Sequence, residues 1–225
     1  MRTLLLLLPA LILSGQTAPA PKAAVTGKAA PTTKAAAPAL NYKEAGSPNA
    51  PITLEAFTDY ECPHCARFFK EFMPQFRIDY IQTGKVHFIH RDFPLTQIHP
   101  HAVPAARYAN AAGELGFYDL VVNQIFATQE AWYVYTQNPP STLDAEVAKV
   151  LPPGAMQKVR ELVKSDPRID ASMAADLALA NSDRIPSTPT VVIVSKNGKR
   201  ELVTTVMEMP YSLFKKYLDQ KIAAQ

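Results

Sequence analysis

Apolar residues along this chain change their spacing in ways that predict separate elements. Leu4 to Leu13 is an apolar run of ten broken only by Pro9. Ile52 to Phe57 is a short β-prone segment behind the turn-like stretch Gly46 to Pro51, and it predicts a buried strand. A helix is expected from Cys62 or Pro63 to about Gln82, with Pro74 kinking or breaking it. Lys85 to Asp92 predicts a second strand, ended by Phe93-Pro94. From about His99 to Arg184 the spacing is helical, and Phe117, Leu120, Val121, Gln124, Ile125 and Thr128 fall on one stripe. Asp166-Pro167 and Ser141 to Asp144 carry the chemistry of helix starts. Thr190 to Val194 is apolar on both faces beyond its threonine, which predicts a central strand. Asn197-Gly198 predicts a hairpin to Arg200–Val206, and Pro210 opens a last amphipathic helix bearing Leu213, Phe214, Tyr217, Leu218 and Ile222.

The order is β-α-β, a helical block, then β-β-α. It predicts one mixed α/β domain over residues 41–225, with a helical insertion of roughly 80 residues at about 97–184. The apolar run at 4–13 would reach only roughly 15 Å as a helix, half a bilayer, and suits a secretory signal or an N-terminal anchor at residues 1–15. Cleavage after Ala20 would leave Pro21 first; cleavage after Gly15, or retention as an anchor, stays open. Residues 16–40 hold ten Ala, four Pro, four Thr and three Lys, and read as a flexible tether. The expected location is therefore periplasmic or extracytoplasmic, tethered to the membrane if the signal is retained.

Charge sharpens this division. The chain has 23 basic and 20 acidic residues, a formal +3. Arg2, Lys22, Lys28 and Lys34 all precede residue 41 with no acid among them, so the remainder carries 19 bases against 20 acids. A near-neutral domain gives no support to a nucleic-acid groove.

The candidate chemistry is Cys62-Pro63-His64-Cys65, which holds the only two cysteines. Two residues wound into a first helical turn bring the sulfurs within bonding reach, and Pro63 suits the first helical position. Cys62 then faces unpaired peptide N–H groups and the positive end of the helix dipole, which favours its thiolate. His64 can add positive charge or a hydrogen bond, while Cys65 is shielded. A stabilised thiolate leaves readily and makes the disulfide oxidising, so the pair is expected to donate disulfides. A zinc or copper site would need further ligands. His87 and His90 point to opposite faces of their strand, and His99 and His101 flank Pro100 in a loop. A purely structural disulfide of so small a ring would constrain little.

This C-P-H-C motif at a strand–helix junction resembles the active site of the DsbA-like family of thioredoxin-fold oxidoreductases. Phe57-Thr58-Asp59-Tyr60-Glu61 is similar to that family's approach to its cysteines. Arg91 to Leu95 with His99-Pro100-His101-Ala102 is similar to its second strand and the entry to its insertion, and Ser187-Thr188-Pro189-Thr190 to its cis-proline loop. The resemblance spans about residues 50–220. It implies a thioredoxin fold, catalysis by Cys62 and Cys65 with Pro63 and His64 between them, and substrate binding at Thr188 and Pro189. It implies no metal or other cofactor, and a monomer. Its expected partners are reduced secreted proteins and a membrane-embedded, DsbB-like oxidase for recycling. A disulfide isomerase or reductase is the alternative direction, and a copper or zinc metallochaperone the alternative class. Two departures stand out. Ala56 occupies the place where such proteins often carry a proton-moving acid, leaving water, Glu55 or His64 for that task, and the insertion has no second cysteine pair. Asp59 and Glu61 are expected to be solvated.

Overall fold

The computed structural model describes residues 41–133 and 139–225; the expected signal and tether at 1–40 lie outside them. Five strands form one sheet: β1 (Glu44–Ala45), β2 (Ile52–Thr58), β3 (Val86–Asp92), β4 (Thr190–Ser195) and β5 (Arg200–Val203). Their spatial order is β1-β3-β2-β4-β5, with β2 and β3 parallel and the other pairings antiparallel. β2 is central and β4 lies inside the sheet, so both can be apolar on two faces. The last strand ends at Val203, three residues before the expected Val206.

Between β2 and β3 the chain is helical from Pro63 to Ile81, through α1 (Pro63–Arg67), a π-helical turn (Phe68–Phe72), α2 (Met73–Phe76) and a second π turn (Arg77–Ile81). The break expected at Pro74 is absent. Met73 N–H bonds to Phe68 O, a five-residue step that widens the helix just ahead of the proline and absorbs its missing donor. Among the described residues six helices lie between β3 and β4: α3 (Ala102–Gly113), α4 (Tyr118–Ala127), α5 (Gln129–Trp132), α6 (Pro139–Ala148), α7 (Ala155–Ser165) and α8 (Pro167–Asp183). Asp166 caps α8 by accepting from Arg168 N at 2.9 Å. α9 (Tyr211–Ala223) closes the fold behind Pro210.

Two expected core positions face outward. Leu120 and Leu213 are exposed, and α4 instead buries Tyr118, Val121, Val122, Ile125 and Phe126. The spacing revealed a helix there but placed the stripe one position off.

The sheet has two unlike faces. Ile52, Leu54, Ala56, Val191 and Ile193 join the large core with Phe68, Phe72, Phe76 and Phe214. On the reverse, Phe57 and Val192 meet Ala180 and Ile185 in a smaller cluster. That reverse side also carries Glu55, tied to Arg91 and Arg200, with Arg91 continuing to Asp176. The segment before β1 docks on the insertion: the Tyr42 hydroxyl donates to Asn110 at 3.0 Å, and a Cβ at Gly113 would collide with the Tyr42 ring. Among the described residues no helix is long and apolar enough to cross a membrane.

Candidate functional site

The chain leaves β2 at Thr58 and reaches α1 through a turn closed by Cys62 N–H to Asp59 O, at 3.1 Å. Cys62 is the N-cap, extended at φ −74°, and Pro63 begins the helix. The Cys62 carbonyl then accepts from Cys65 N–H and Ala66 N–H at 3.0 and 3.1 Å. Pro63 and His64 are exposed, Cys62 keeps 6% of its surface, and Cys65 keeps none. Both sulfurs are free thiols.

The loop before β4 lies against this helix start. Thr188–Pro189 is a cis peptide, and the Thr188 carbonyl is 3.5 Å from Cys62 Sγ. Thr190 Oγ1 donates to Ser187 O at 2.8 Å and holds the loop closed. The tertiary structure thus brings together Cys62, Cys65, Thr188 and Pro189 from segments more than 120 residues apart in the chain. A residue absent from the sequence-based candidates joins them. Gln129, buried at the start of α5, donates its Nε2 to Tyr60 O at 2.8 Å and Cys62 O at 3.0 Å. Nothing in the local sequence marks this glutamine, because its role depends on how the helical insertion folds back.

The Cys62 thiol is lowered to about 6. The largest cause is a hydrogen bond from the Cys65 thiol, opposed by burial; the Thr188 hydroxyl and the peptide N–H groups of Cys65 and His64 add to it. So the helix start contributes as expected, but it ranks behind the neighbouring thiol, and the contribution of His64 comes from its backbone. Burial, then the bond to Cys62 and its charge, pushes the Cys65 thiol well up, while the Asp59 N–H pulls it down. Cys62 therefore carries the readily ionised thiol and Cys65 the buried, weakly acidic one.

The sign of the linkage follows. Below about pH 6 Cys62 is protonated in both folded and unfolded chains. Above that value ionisation stabilises the reduced fold, fully so only beyond the unfolded thiol's ~8.5, and by about 1 kcal/mol at pH 7. Alkylation of Cys62 by iodoacetamide should accordingly rise with a midpoint near pH 6. In Cys65→Ala, which loses the donor, the midpoint should move up. A wild-type midpoint at the ordinary ~8.5 would refute the assigned geometry.

Asp59 and Glu61 are not solvated: 1% and 0% of their surfaces are exposed. Desolvation is offset by donors, since Asp59 accepts from Glu61 N, Leu95 N and His99 Nδ1 at 2.7, 2.7 and 2.8 Å. Glu61 accepts from His101 N at 2.7 Å. Of these donors, Leu95 N, His99 Nδ1 and His101 N lie in the connection after β3, and Glu61 N lies in the turn itself. Glu55 faces the reverse of the sheet in its arginine pairs, removing it as a proton carrier for Cys65. Ala56 is fully buried on the cysteine side. His87 pairs with Glu44, and His90 lies between Thr58 and Tyr118. Among the described residues no three or more His, Cys, Asp or Glu side chains are grouped to hold a metal ion.

Comparison with known proteins agrees with this fold. The family profile described as thioredoxin matches residues 42–206. A Mycolicibacterium gilvum protein named Na(+)/H(+) antiporter NhaA 1 is 34% identical over 88 residues, 38% of this chain and 13% of that protein. A Rickettsia felis protein named as a protein-disulfide oxidoreductase is 24% identical over 142 residues, 63% of this chain and 49% of that one. The chain thus spans about an eighth of the antiporter and about half of the oxidoreductase. The crystal structure of alpha-DsbA1 from Wolbachia pipientis superposes with a TM-score of 0.65 at 23% identity, covering 81% of this chain and 91% of that one. The likeness is one of fold: a thioredoxin sheet with helices inserted between β3 and β4.

Proposed function

Because the chain belongs to the thioredoxin family, we propose that it is a thiol:disulfide oxidoreductase of the DsbA type, donating a Cys62–Cys65 disulfide to exported proteins. The observation that carries this reading is the paired environment of the two sulfurs: one lowered thiol at a helix start, one buried thiol behind it, and a cis-proline loop alongside. The R. felis relative's name points to the same chemistry.

In the donating direction a substrate thiolate attacks Cys62 Sγ. The Cys62–Cys65 bond breaks, Cys65 leaves as a thiolate and takes a proton, and a mixed disulfide joins Cys62 to the substrate. A second substrate thiolate then attacks the substrate sulfur and displaces Cys62, which leaves well because its thiolate is favoured. The substrate has lost two electrons and the cysteine pair has gained them. Extended substrate would lie along Thr188 and Pro189, the cis-proline having no N–H of its own to place there. The apolar segment at 4–13 supports export, where the reduced pair would pass its electrons to a DsbB-like membrane oxidase. A monomer suffices for these steps.

Equilibration of the full-length protein in glutathione buffers tests the direction. The expected potential is well above the about −270 mV of thioredoxin. A value at or below thioredoxin's overturns the donor reading in favour of a reductase. Stoichiometric copper or zinc on the purified protein, with redox activity indifferent to Cys65→Ser, would favour a metal carrier.

A further inference from the structure

Asp59 touches both cysteines through its backbone. Its N–H is directed at Cys65 Sγ, 3.4 Å away, and its carbonyl accepts the Cys62 N–H at 3.1 Å. Its carboxylate grips three donors, of which Leu95 N–H and His99 Nδ1 lie on the connection after β3. The third is Glu61 N–H, inside the redox turn itself. Glu61 adds a parallel tie to His101 N–H, its other oxygen being buried without a partner. The turn between β2 and α1 is thus fastened from the side by two buried carboxylates, of which Asp59 also contacts both cysteines through its backbone.

We infer that Asp59 is a positioning residue for Cys65: its clamped carboxylate holds its own peptide N–H against the buried sulfur, easing formation of the Cys65 thiolate. The inference rests on the exchange reading above and extends it to a residue outside the cysteine motif. A hydrogen bond to a charged acceptor is about twice as strong as one to a neutral acceptor. An N–H fixed at the sulfur therefore favours thiolate over thiol, and does so only while the turn is held. The benefit falls on one step. When Cys62 carries a mixed disulfide, Cys65 gives its proton to water and its thiolate attacks Cys62 Sγ. The internal disulfide forms, the bond to the outer sulfur breaks, and that sulfur leaves as a thiolate and takes up a proton. The ionisable groups around the turn are Asp59 itself, Cys62, Glu61, His64, His99 and His101; a change at Asp59 removes its own negative charge, which alone would favour the Cys65 thiolate, so a rising midpoint reports the lost clamp.

The test uses the full-length protein with glutathione loaded on Cys62, following release of glutathione across pH. Asp59→Ala should release it about tenfold more slowly at neutral pH, with the profile midpoint about one pH unit higher. Asp59→Asn keeps an acceptor for Glu61 N–H and should recover part of both effects. His99→Ala keeps two of the three donors and should shift the profile less; it carries the test if Asp59→Ala does not fold. Unchanged rates and midpoints in the folded variants overturn the inference, including where their melting temperature falls. If wild-type protein itself releases no glutathione through Cys65, the exchange reading fails, and this inference falls with it.

Discussion

Cys62→Ser protein is expected to lose disulfide donation completely, to the level of buffer alone, while folding as the wild type does. The hydroxyl does not ionise near pH 7, so the nucleophile and leaving group of both exchange steps are gone. Cys62 sits at a helix start and accepts no core packing that a serine could not replace; its carbonyl bonds to Cys65, Ala66 and Gln129 come from the backbone and survive. Cys65→Ser is the informative partner. It also fails as an oxidase, having no internal disulfide, but it keeps Cys62 and should accumulate a mixed disulfide with oxidised glutathione that does not resolve. Mass spectrometry after a glutathione-disulfide pulse separates the two: an adduct on Cys65→Ser and none on Cys62→Ser. Exchange supported by Cys65 alone at the wild-type rate would reverse the assigned roles.

The largest stability effect is expected far from the sulfurs, at Lys43. Its ammonium lies 2.6 Å from Asp92 and 2.7 Å from Asp176, all three nearly excluded from solvent. Burial alone would push the lysine down, yet the two carboxylates reverse this and raise it. Asp176 is shared with Arg91, and Asp92 also accepts from Asn110 at 2.7 Å, so the charges form one network joining the first segment, β3, α3 and α8. Lys43→Met leaves two buried carboxylates facing each other, and removing one partner of such a network typically costs about 3–5 kcal/mol. Urea unfolding at pH 7 measures it. Adding Asp92→Asn to Lys43→Met should recover part of the loss by neutralising the carboxylate left without a cation, Asp176 keeping Arg91, since contacting positions are not additive. A loss below about 1 kcal/mol would mean that water reaches the site and that the network contributes no more than a surface pair.

What could be read from the chain is what local chemistry dictates. The strand–helix junction at Cys62 was legible because Pro63 can only begin a helix there and the apolar run before it alternates as a buried strand. Asp166 ahead of Pro167 was legible as a cap, and Asn197-Gly198 as a turn. Asp59 and Glu61 were misread for a matching reason: an acid beside a turn is normally solvated, and only the donors of a connection some 40 residues later make burial affordable. Gln129 and Lys43 were invisible because their partners lie 49 to 133 residues away.

The sequence by itself determined the cysteine spacing, the proline-started helix, the order of strands and helices and the near-neutral charge of residues 41–225, since each follows from neighbours within a turn or a strand. The tertiary structure decided the rest: which contact lowers Cys62 most, which acids are buried, which glutamine braces the turn, and how Thr188-Pro189 meets the cysteines. A thiol's ionisation depends on donors and exposure within a few ångströms, and here those donors come from segments that meet only when the sheet has closed and the inserted helices have folded back.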